Sequence, residues 1–443
     1  MPFMVMLLVL ADDLTGALDT GVQFARGGIP TRVYLKPVRG AVPEPGDTEV
    51  LVINANTRHC SADGARRIIR SLAYRYRHIP YLYKKTDSTL RGHIGAELEA
   101  LMDGGNIRRL PFIPAYPLLG RTTWGGVQLL RGIPVDQTET AADALNPIRR
   151  SFIPAIIAEE SALPVRLVPA GAAGWEEALA AGAGGADGRD ILVFDCGSSG
   201  ELGETAGYLR DRELLRGSAG CAGFAGALME ALPFSAPRGM GDVREGACRE
   251  IDRTLPLLIL SGSRHPLSVQ QVKTALAGGI TGLPIRGEDL LRKKWLFSAE
   301  GKALIGRAAA ILREEGIALL GTAAAMGLAG GESPAGKGET HEGPARVLGA
   351  LALEIRRAAG PLHWAVFGGD TLMGLTAAMK FEYIIPVGEI RPGIVFARAE
   401  GPDGGALMAA KSGAFGEPGI IGIIREFFTN ASAGRLEEEY YHV

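Results

Sequence analysis

The chain has only four cysteines in 443 residues, Cys60, Cys196, Cys221 and Cys248, and no two of them form a CxxC pair. That excludes a disulfide scaffold and offers no zinc ligand set, so free, buried thiols are expected. An excess of one charge is also missing. Lys and Arg number 47 against 49 Asp and Glu, for a formal net charge of −2. A uniformly basic nucleic-acid or membrane-surface protein is thereby excluded, while a local basic pocket is not. Nor is there an apolar run long enough to span a bilayer. The run Met4–Leu10 has no basic region before it and no small-residue cleavage site, and it leads straight into Ala11-Asp12-Asp13. It reads as a strand rather than a signal. The expected location is the cytoplasm, with neither nucleic acid nor membrane as a partner; a homo-oligomer is left open.

What is present is ordinary for a globular enzyme, with 47% hydrophobic and 22% charged residues. The length exceeds what one hydrophobic core supports, which predicts two domains. MVMLLVL (4–10), EVLVIN (49–54), RLPFIPA (109–115) and DILVFD (190–195) are continuous apolar runs of strand length. Strands covered by helices on both faces look like this. Between them lie helical patterns, such as Ile94, Leu98, Leu101 and Met102 on one helix face. A second series, LLIL (257–260), IALL (317–320), WAVF (364–367) and YIIPV (383–387), alternates with helical patterns over 303–313 and 346–358. The expected fold is α/β, two domains that are each a largely parallel sheet flanked by helices. The charged, aperiodic stretch after Pro233 divides residues 1–235 from residues 250–430, and the Gly/Ala-rich stretches 169–189 and 328–344 are expected as surface excursions.

The chemistry gathers where strands end. Asp12 and Asp13 close the first strand, and Thr15 and Gly16 open a helix. One side chain suffices to cap a helix, so a second carboxylate is surplus. In an open parallel sheet the carboxyl ends of strands are where ligands bind. The segment KKTDSTLRG (84–92) stands in an equivalent place, after PYLY and before the helix near Ile94. Asp87, Ser88 or Thr89 could cap that helix, which leaves Lys84, Lys85 and Arg91 unexplained. Cations beside hydroxyls at a helix N-terminus suit an anionic polyol, with Asp87 able to accept a hydroxyl proton. A third segment, PAYPLLGRTTWGG (114–126), brings Arg121 with glycines that serve turns or close approach.

The second half carries glycine turns instead. Ser261-Gly-Ser263-Arg264-His265, Gly368-Gly369-Asp370-Thr371 and Lys411-Ser412-Gly413 each follow an apolar run. Three such turns in one domain predict a phosphate cradle of backbone N–H groups. Gly331–Lys337 imitates the start of a P-loop, but Gly338 replaces the magnesium-binding hydroxyl and no helix follows, so it is rejected. No GxGxxG opens a helix after the first strand, and neither a Ser-His-Asp nor an HExxH arrangement is legible.

As a set, LADDLTGALDTG, KKTDSTLRGHIGAELEALM, PAYPLLGRTTWGGVQLLRGIPV, LNPIRRS, GSAG, LSGSR, FGGDT, PGI and KSGAFG resemble the four-carbon acid sugar kinase family, over residues 5 to 428. The resemblance implies an N-terminal sugar-acid domain, a C-terminal ATP domain and an active site in the cleft between them. The implied reaction transfers the γ-phosphoryl group of ATP, with Mg2+, to the terminal hydroxyl of a tetronate or oxo-tetronate. Asp87, Asp12 and Arg91 are the expected catalytic residues. Asp13, Lys85, Ser88, Thr89 and Arg121 are expected to bind the sugar acid; Ser261, Ser263, Gly368, Gly369, Asp370, Thr371, Ser412 and Gly413 are expected to bind the nucleotide. No protein metal ligand is assigned.

Two positions depart from the family pattern: Arg264-His265-Pro266 stands where serine usually continues the first turn, and GGDT replaces GGET, with Leu372 after it. Two rival functions remain, a non-catalytic sensor of sugar acid and nucleotide, and an NAD-dependent sugar-acid dehydrogenase. The second would need the glycine fingerprint that the first strand lacks.

Overall fold

A computed structural model describes residues 4–36, 48–142, 146–180, 188–235, 248–292, 294–328, 342–413 and 415–430. The P-loop imitation at 331–338, most of the stretch 328–344 and much of the charged stretch after Pro233 lie outside these residues. The chain forms two compact units, Met1–Arg238 and Gly239–Val443.

The first unit contains strands β1 (Leu7–Ala11), β2 (Thr31–Tyr34), β3 (Val50–Asn54), β4 (Tyr81–Lys85), β5 (Arg109–Ile113), β6 (Arg121–Trp124), β7 (Val127–Leu130), β8 (Ile133–Pro134), β9 (Val165–Val168), β10 (Asp190–Phe194) and β11 (Gly217–Gly220). Its helices are α1 (Leu14–Arg26), α2 (Ala62–Arg75), α3 (Ile94–Gly105), α4 (Ile153–Ala158), α5 (Ala172–Ala180), α6 (Ser199–Asp211) and α7 (Ala222–Ala231). Strands pair in the order β2-β3-β1-β4-β11-β5-β10-β9, every pair parallel. The apolar runs read from the sequence supply β1, β3, β4, β5 and β10, and every residue of β1, β3 and β10 is buried.

This order fixes where a ligand can sit. After β1 the chain crosses through α1 toward β2; after β4 it crosses through α3 the other way, toward β5. Right-handed crossovers in opposite directions put the two helices on opposite faces. In accord with that, α1 packs on α7 whereas α3 packs on α2. The carboxyl ends of β1 and β4 therefore flank a topological switch point, the place where open α/β sheets open a crevice. The PAYPLLGRTTWGG segment passes through a short 3-10 turn, Pro117–Leu119, into the β6–β7 hairpin formed by Arg121 to Leu130. Its glycine turn is held by Asp195, which accepts from Gly125 N at 2.8 Å and Gly126 N at 2.9 Å.

The second unit contains β12 (Leu257–Ser261), α8 (Pro266–Ala277), β13 (Gly282–Ile285), α9 (Gly287–Leu291), α10 (Ala299–Glu315), β14 (Ile317–Thr322), α11 (Glu342–Ala359), β15 (His363–Phe367), α12 (Gly369–Ala378), β16 (Tyr383–Arg391), β17 (Ile394–Glu400), β18 (Ala406–Lys411) and α13 (Ile420–Thr429). Its strands run β13-β14-β12-β15-β18-β17-β16, parallel from β13 to β18 and antiparallel through β17 to β16. The chain leaves β12 toward β13 and leaves β14 toward β15, so the connections reverse here as well, between β12 and β15. No described helix is long and apolar enough to cross a membrane. All four cysteines are free; Cys196 and Cys221 are buried as expected, while Cys60 and Cys248 are half-buried.

Candidate active site

Asp12 and Asp13 leave β1 in different roles. Asp13 caps α1, accepting from Gly16 N at 2.9 Å and from the Thr15 hydroxyl at 2.6 Å. Asp12 caps nothing. It is 2% exposed, its Oδ2 accepts from Arg58 Nε at 2.7 Å, and its Oδ1 is buried without a hydrogen-bond partner among the described residues. A buried carboxylate oxygen left bare is costly, and such atoms mark places where a ligand or water completes the structure.

Arg58 was not expected from the sequence. It follows β3, and the backbone ties it to the end of β1: Thr57 N and Arg58 N donate to the Asp12 carbonyl at 2.9 and 3.2 Å. Its guanidinium donates to Asp12, to both oxygens of Asp13 at 2.7 and 3.0 Å, and lies 3.5 Å from Asp87 Oδ1. One arginine thus links three carboxylates that belong to two separate motifs. Burial alone would lower its pKa, but Asp12, Asp13 and Asp87 hold it well above the usual value.

The KKTDSTLRG segment differs from its sequence reading in two respects. Lys84 and Lys85 are the last residues of β4 rather than residues that follow it. None of Asp87, Ser88 and Thr89 caps α3; the cap position is His93, whose side chain makes no cap bond. His93 instead bonds Glu160 at 2.7 Å and the Cys60 carbonyl at 2.6 Å. Asp87 is gripped from both sides, by Arg91 Nε at 3.0 Å and Nη2 at 2.8 Å and by Thr89 N at 3.1 Å. Leu90, at φ 68, turns the chain through the left-handed region so that Arg91 folds back onto Asp87. Burial would raise the Asp87 pKa; Arg91 and Arg58 outweigh it and hold the carboxyl well below the usual range. Asp13 behaves alike, with burial opposed by Arg58, Lys85 and Thr15.

Successive residues on a strand point to opposite faces. Lys84, fully buried, pairs with Glu97 of α3 at 3.0 Å, and Glu97 also accepts from the Thr57 hydroxyl. Burial and the nearby Asp12 lift Glu97 above the usual carboxylate range, against the pull of Lys84. Lys85 makes no ion pair among the described residues. Its ammonium donates to the Thr86 carbonyl at 2.7 Å and lies against the first turn of α1, where a Cβ on Gly16 would be 2.8 Å away. Its charge acts on both Asp13 and Asp87. Arg121, 6% exposed, donates to the Leu119 carbonyl; burial lowers its pKa and the charge of Asp87 opposes that. Ser88 is half-buried, and its carbonyl is held by Gln128 at 2.8 Å. Of the eight residues expected here, Asp12, Asp13, Asp87, Thr89 and Arg91 are joined by hydrogen bonds and ion pairs with Arg58; Lys85 and Arg121 act on that network through their charge, and Ser88 borders it through its backbone.

In the second unit three turns converge at the ends of β12, β15 and β18. Ser261 is fully buried and its hydroxyl has no hydrogen-bond partner among the described residues. Ser263 Oγ accepts from His265 N at 3.4 Å. His265 caps α8 by accepting from Leu267 N at 3.3 Å, and Pro266 takes the first helical position. The departure from the family pattern is therefore a helix start of sound design. Gly368 sits at φ 105, a conformation closed to other residues, and leads into α12 with Gly369, the exposed Asp370 and the buried Thr371 in its first turn. Gly413 packs so closely on the first turn that a Cβ would meet His265 Cβ at 2.9 Å and Ser263 Oγ at 3.2 Å. Ser412 stands between Gly413 and Lys411, the last residue of β18. Hydroxyls and a helix N-terminus around small residues fit a nucleotide's phosphates.

Comparison with known proteins matches both halves. Residues 7–225 match the sugar-binding N-terminal domain family, and residues 258–421 match the nucleotide-binding C-terminal domain family. The chain belongs to the four-carbon acid sugar kinase family. Across nearly its whole length, this sugar kinase family member is 29% identical to a D-threonate kinase of Bordetella bronchiseptica, over 93% of this chain and 95% of that one. It is 28% identical to a 3-oxo-tetronate kinase of Methylobacterium radiotolerans, over 93% and 97%. A D-threonate kinase of Salmonella typhimurium is 35% identical, but the match spans 62% of this chain and 61% of that relative. Two solved chains, from Salmonella typhimurium LT2 and Haemophilus influenzae, share the fold with TM-scores of 0.73 and 0.65 at 22% and 18% identity. Both alignments cover 95% of this chain, and 98% and 100% of theirs.

Proposed function

We propose that this protein is an ATP-dependent kinase acting on the terminal 4-hydroxyl of threonate, erythronate or an oxo-tetronate. Membership of the family makes it an enzyme that phosphorylates a sugar acid. In this reading residues 1–235 hold the sugar acid and residues 250–430 hold the nucleotide. One observation carries it: Asp12 Oδ1 is a buried, unpartnered carboxylate oxygen at the switch point, beside Arg58, which also reaches Asp13 and Asp87, the carboxylates on which Lys85 and Arg91 act. An anionic ligand that brings its own hydroxyl group satisfies both features, the open acceptor and the surrounding cations.

The roles follow from how each group is already occupied. Asp87 accepts from Thr89 and Arg91 with Arg58 close by, which makes it a weak proton acceptor and a firm anchor for Arg91. Asp12 has the open oxygen, so it receives the proton of the attacking hydroxyl. Lys85 and Arg121 hold the substrate carboxylate, while Asp13, Ser88 and Thr89 shape the rim. Ser261, Ser263, Gly368, Gly369, Asp370, Thr371, Ser412 and Gly413 line the nucleotide cradle. No group of three or more His, Cys, Asp or Glu able to hold a metal occurs among the described residues. Mg2+ would enter with the phosphates, Asp370 being the cradle's carboxylate. MgATP, when bound, supplies the γ-phosphoryl group and the cation that neutralises its charge.

The test is an ATP-consumption assay on a panel of threonates, erythronates and oxo-tetronates, with the product's phosphate position read by phosphorus NMR. Turnover of one stereoisomer with phosphate on the terminal oxygen is expected. Binding of both ligands without ATP turnover, or NAD reduction in its place, overturns the reading.

A further inference from the structure

Lys411 ends β18 and is 2% exposed. Its ammonium donates to the carbonyls of Ser412 at 2.8 Å, Phe415 at 3.0 Å and Gly413 at 3.2 Å, and to Ser268 Oγ at 3.2 Å. It also stands 5.2 Å from the centre of the Phe367 ring. No carboxylate pairs with it among the described residues. Burying an ammonium without a counter-ion is unfavourable, and packing alone would be served better by an apolar side chain. The charge is retained for what it gathers.

We infer that Lys411 is a positioning residue of the nucleotide site, its ammonium drawing three carbonyls of the following turn inward so that the turn's outer side suits phosphate. This rests on the nucleotide-binding reading of the second unit. A carbonyl facing a phosphate repels it, whereas a turn with its carbonyls pointed inward offers N–H groups outward. Lys411 also joins all three glycine turns. Its own carbonyl accepts from Gly368 N at 3.0 Å, and Phe367 immediately precedes that glycine. Ser268 belongs to α8, which starts from the first turn, and itself donates to the Gly413 carbonyl at 3.1 Å. Gln271 of α8 holds the far end of the turn through the Phe415 and Glu417 carbonyls at 3.1 and 3.0 Å.

Burial pushes the Lys411 pKa down to about 7, with no charged neighbour contributing. From α8 it meets Ser268, while Gln271 shares the Phe415 carbonyl with it; from β15 it meets the Phe367 ring, and from β17 its strand partner is Ile394. Titratable groups on adjoining elements are His265, which faces Gly413, and Glu389 of β16, which accepts from Gly393 N at 2.7 Å. The gathering of carbonyls therefore weakens as pH rises through neutrality.

The experiment measures KM for MgATP, KM for the sugar acid and kcat in the full chain, for the wild type, Lys411→Met and Ser268→Ala, from about pH 6 to 8.5. Lys411→Met is expected to raise the ATP KM about tenfold or more at pH 6.5, with the sugar-acid KM changed less than about twofold. The wild-type ATP KM should climb with pH by about threefold more than that of Lys411→Met, which cancels the titration of ATP itself. Ser268→Ala keeps the charge and should raise the ATP KM by about threefold. It decides the matter if the methionine variant fails to fold. An unchanged ATP KM, or an equal rise in both KM values, overturns the inference while the wild type still turns over ATP. A wild type that does not bind MgATP overturns the nucleotide reading itself, and this inference with it.

Discussion

At the carboxyl end of the first unit's sheet the polar groups are ionised side chains; at the same end of the second unit's sheet they are hydroxyls and backbone. Arg58 alone holds three aspartates in the first. In the second, glycines and hydroxyls leave room, and Lys411, buried at the turns, bonds carbonyls, with no carboxylate partner among the described residues. A charge network of the first kind is cooperative, because removing Arg58 leaves Asp12 buried without its donor and takes one cation from Asp13 and Asp87. A backbone cradle is spread over many peptide groups, so only substitutions that block space or move the chain damage it. The proposed substrates match this division: a polyol acid offers hydroxyls and one carboxylate to match one by one, whereas a phosphate chain accepts from any N–H.

The contrast can be broken most severely at Arg58. Arg58→Met should lower kcat/KM for the sugar acid about 10⁴-fold and destabilise the chain by ~3–5 kcal/mol, measured by steady-state kinetics and urea unfolding. An effect within about tenfold would show that the aspartates do not depend on their shared cation. Next, Asp12→Asn should lower kcat by about 10³ and leave the ATP KM unchanged.

Asp87→Asn should cost less in kcat than Asp12→Asn, since the Asp87 carboxylate is already saturated with donors. Its folded pKa lies below the unfolded value of about 4, so its stabilisation is complete above that pH and is lost as pH falls through the folded value. Urea midpoints measured down to about pH 2 should fall less steeply for Asp87→Asn than for the wild type. No break in kcat/KM between about pH 5 and 8 should trace to Asp87.

In the second unit, Gly413→Val should raise the ATP KM about thirtyfold with the sugar-acid KM intact, because its Cβ has no room beside His265. The smallest effect belongs to Asp370→Ala. Its carboxylate is exposed, and a rise in ATP KM of about threefold is expected. A hundredfold loss there would mean that the second unit also depends on a single charge.

Legibility followed the same division. Asp12, Asp13 and Asp87 stood out because polar residues directly after apolar runs have few local uses, and the surplus over one helix cap was visible in the letters. Only Asp13 proved to be a cap. Arg58 also follows an apolar run, yet NTRHC gives no sign of importance. Its role depends on β3 lying beside β1 in parallel register, which sequence adjacency does not reveal. The alternation that sends Lys84 to Glu97 and Lys85 to the crevice required knowing that both lie on a strand. Gly217–Gly220 forms a fully buried strand between β4 and β5 although it has no β-branched or aromatic residue. Only packing between its neighbours gives it that conformation.

The sequence by itself determined the layered α/β class, two series of strands and helices, and the strand ends at which polar chemistry accumulates. Hydrophobic periodicity and local capping are short-range properties, and they are readable from neighbours along the chain. The tertiary structure alone decided which strand ends meet, that one arginine joins three carboxylates, and that Asp12 keeps an oxygen open. Sheet order and burial set those facts, because charge and hydrogen bonding act across space between residues that the chain keeps dozens of positions apart.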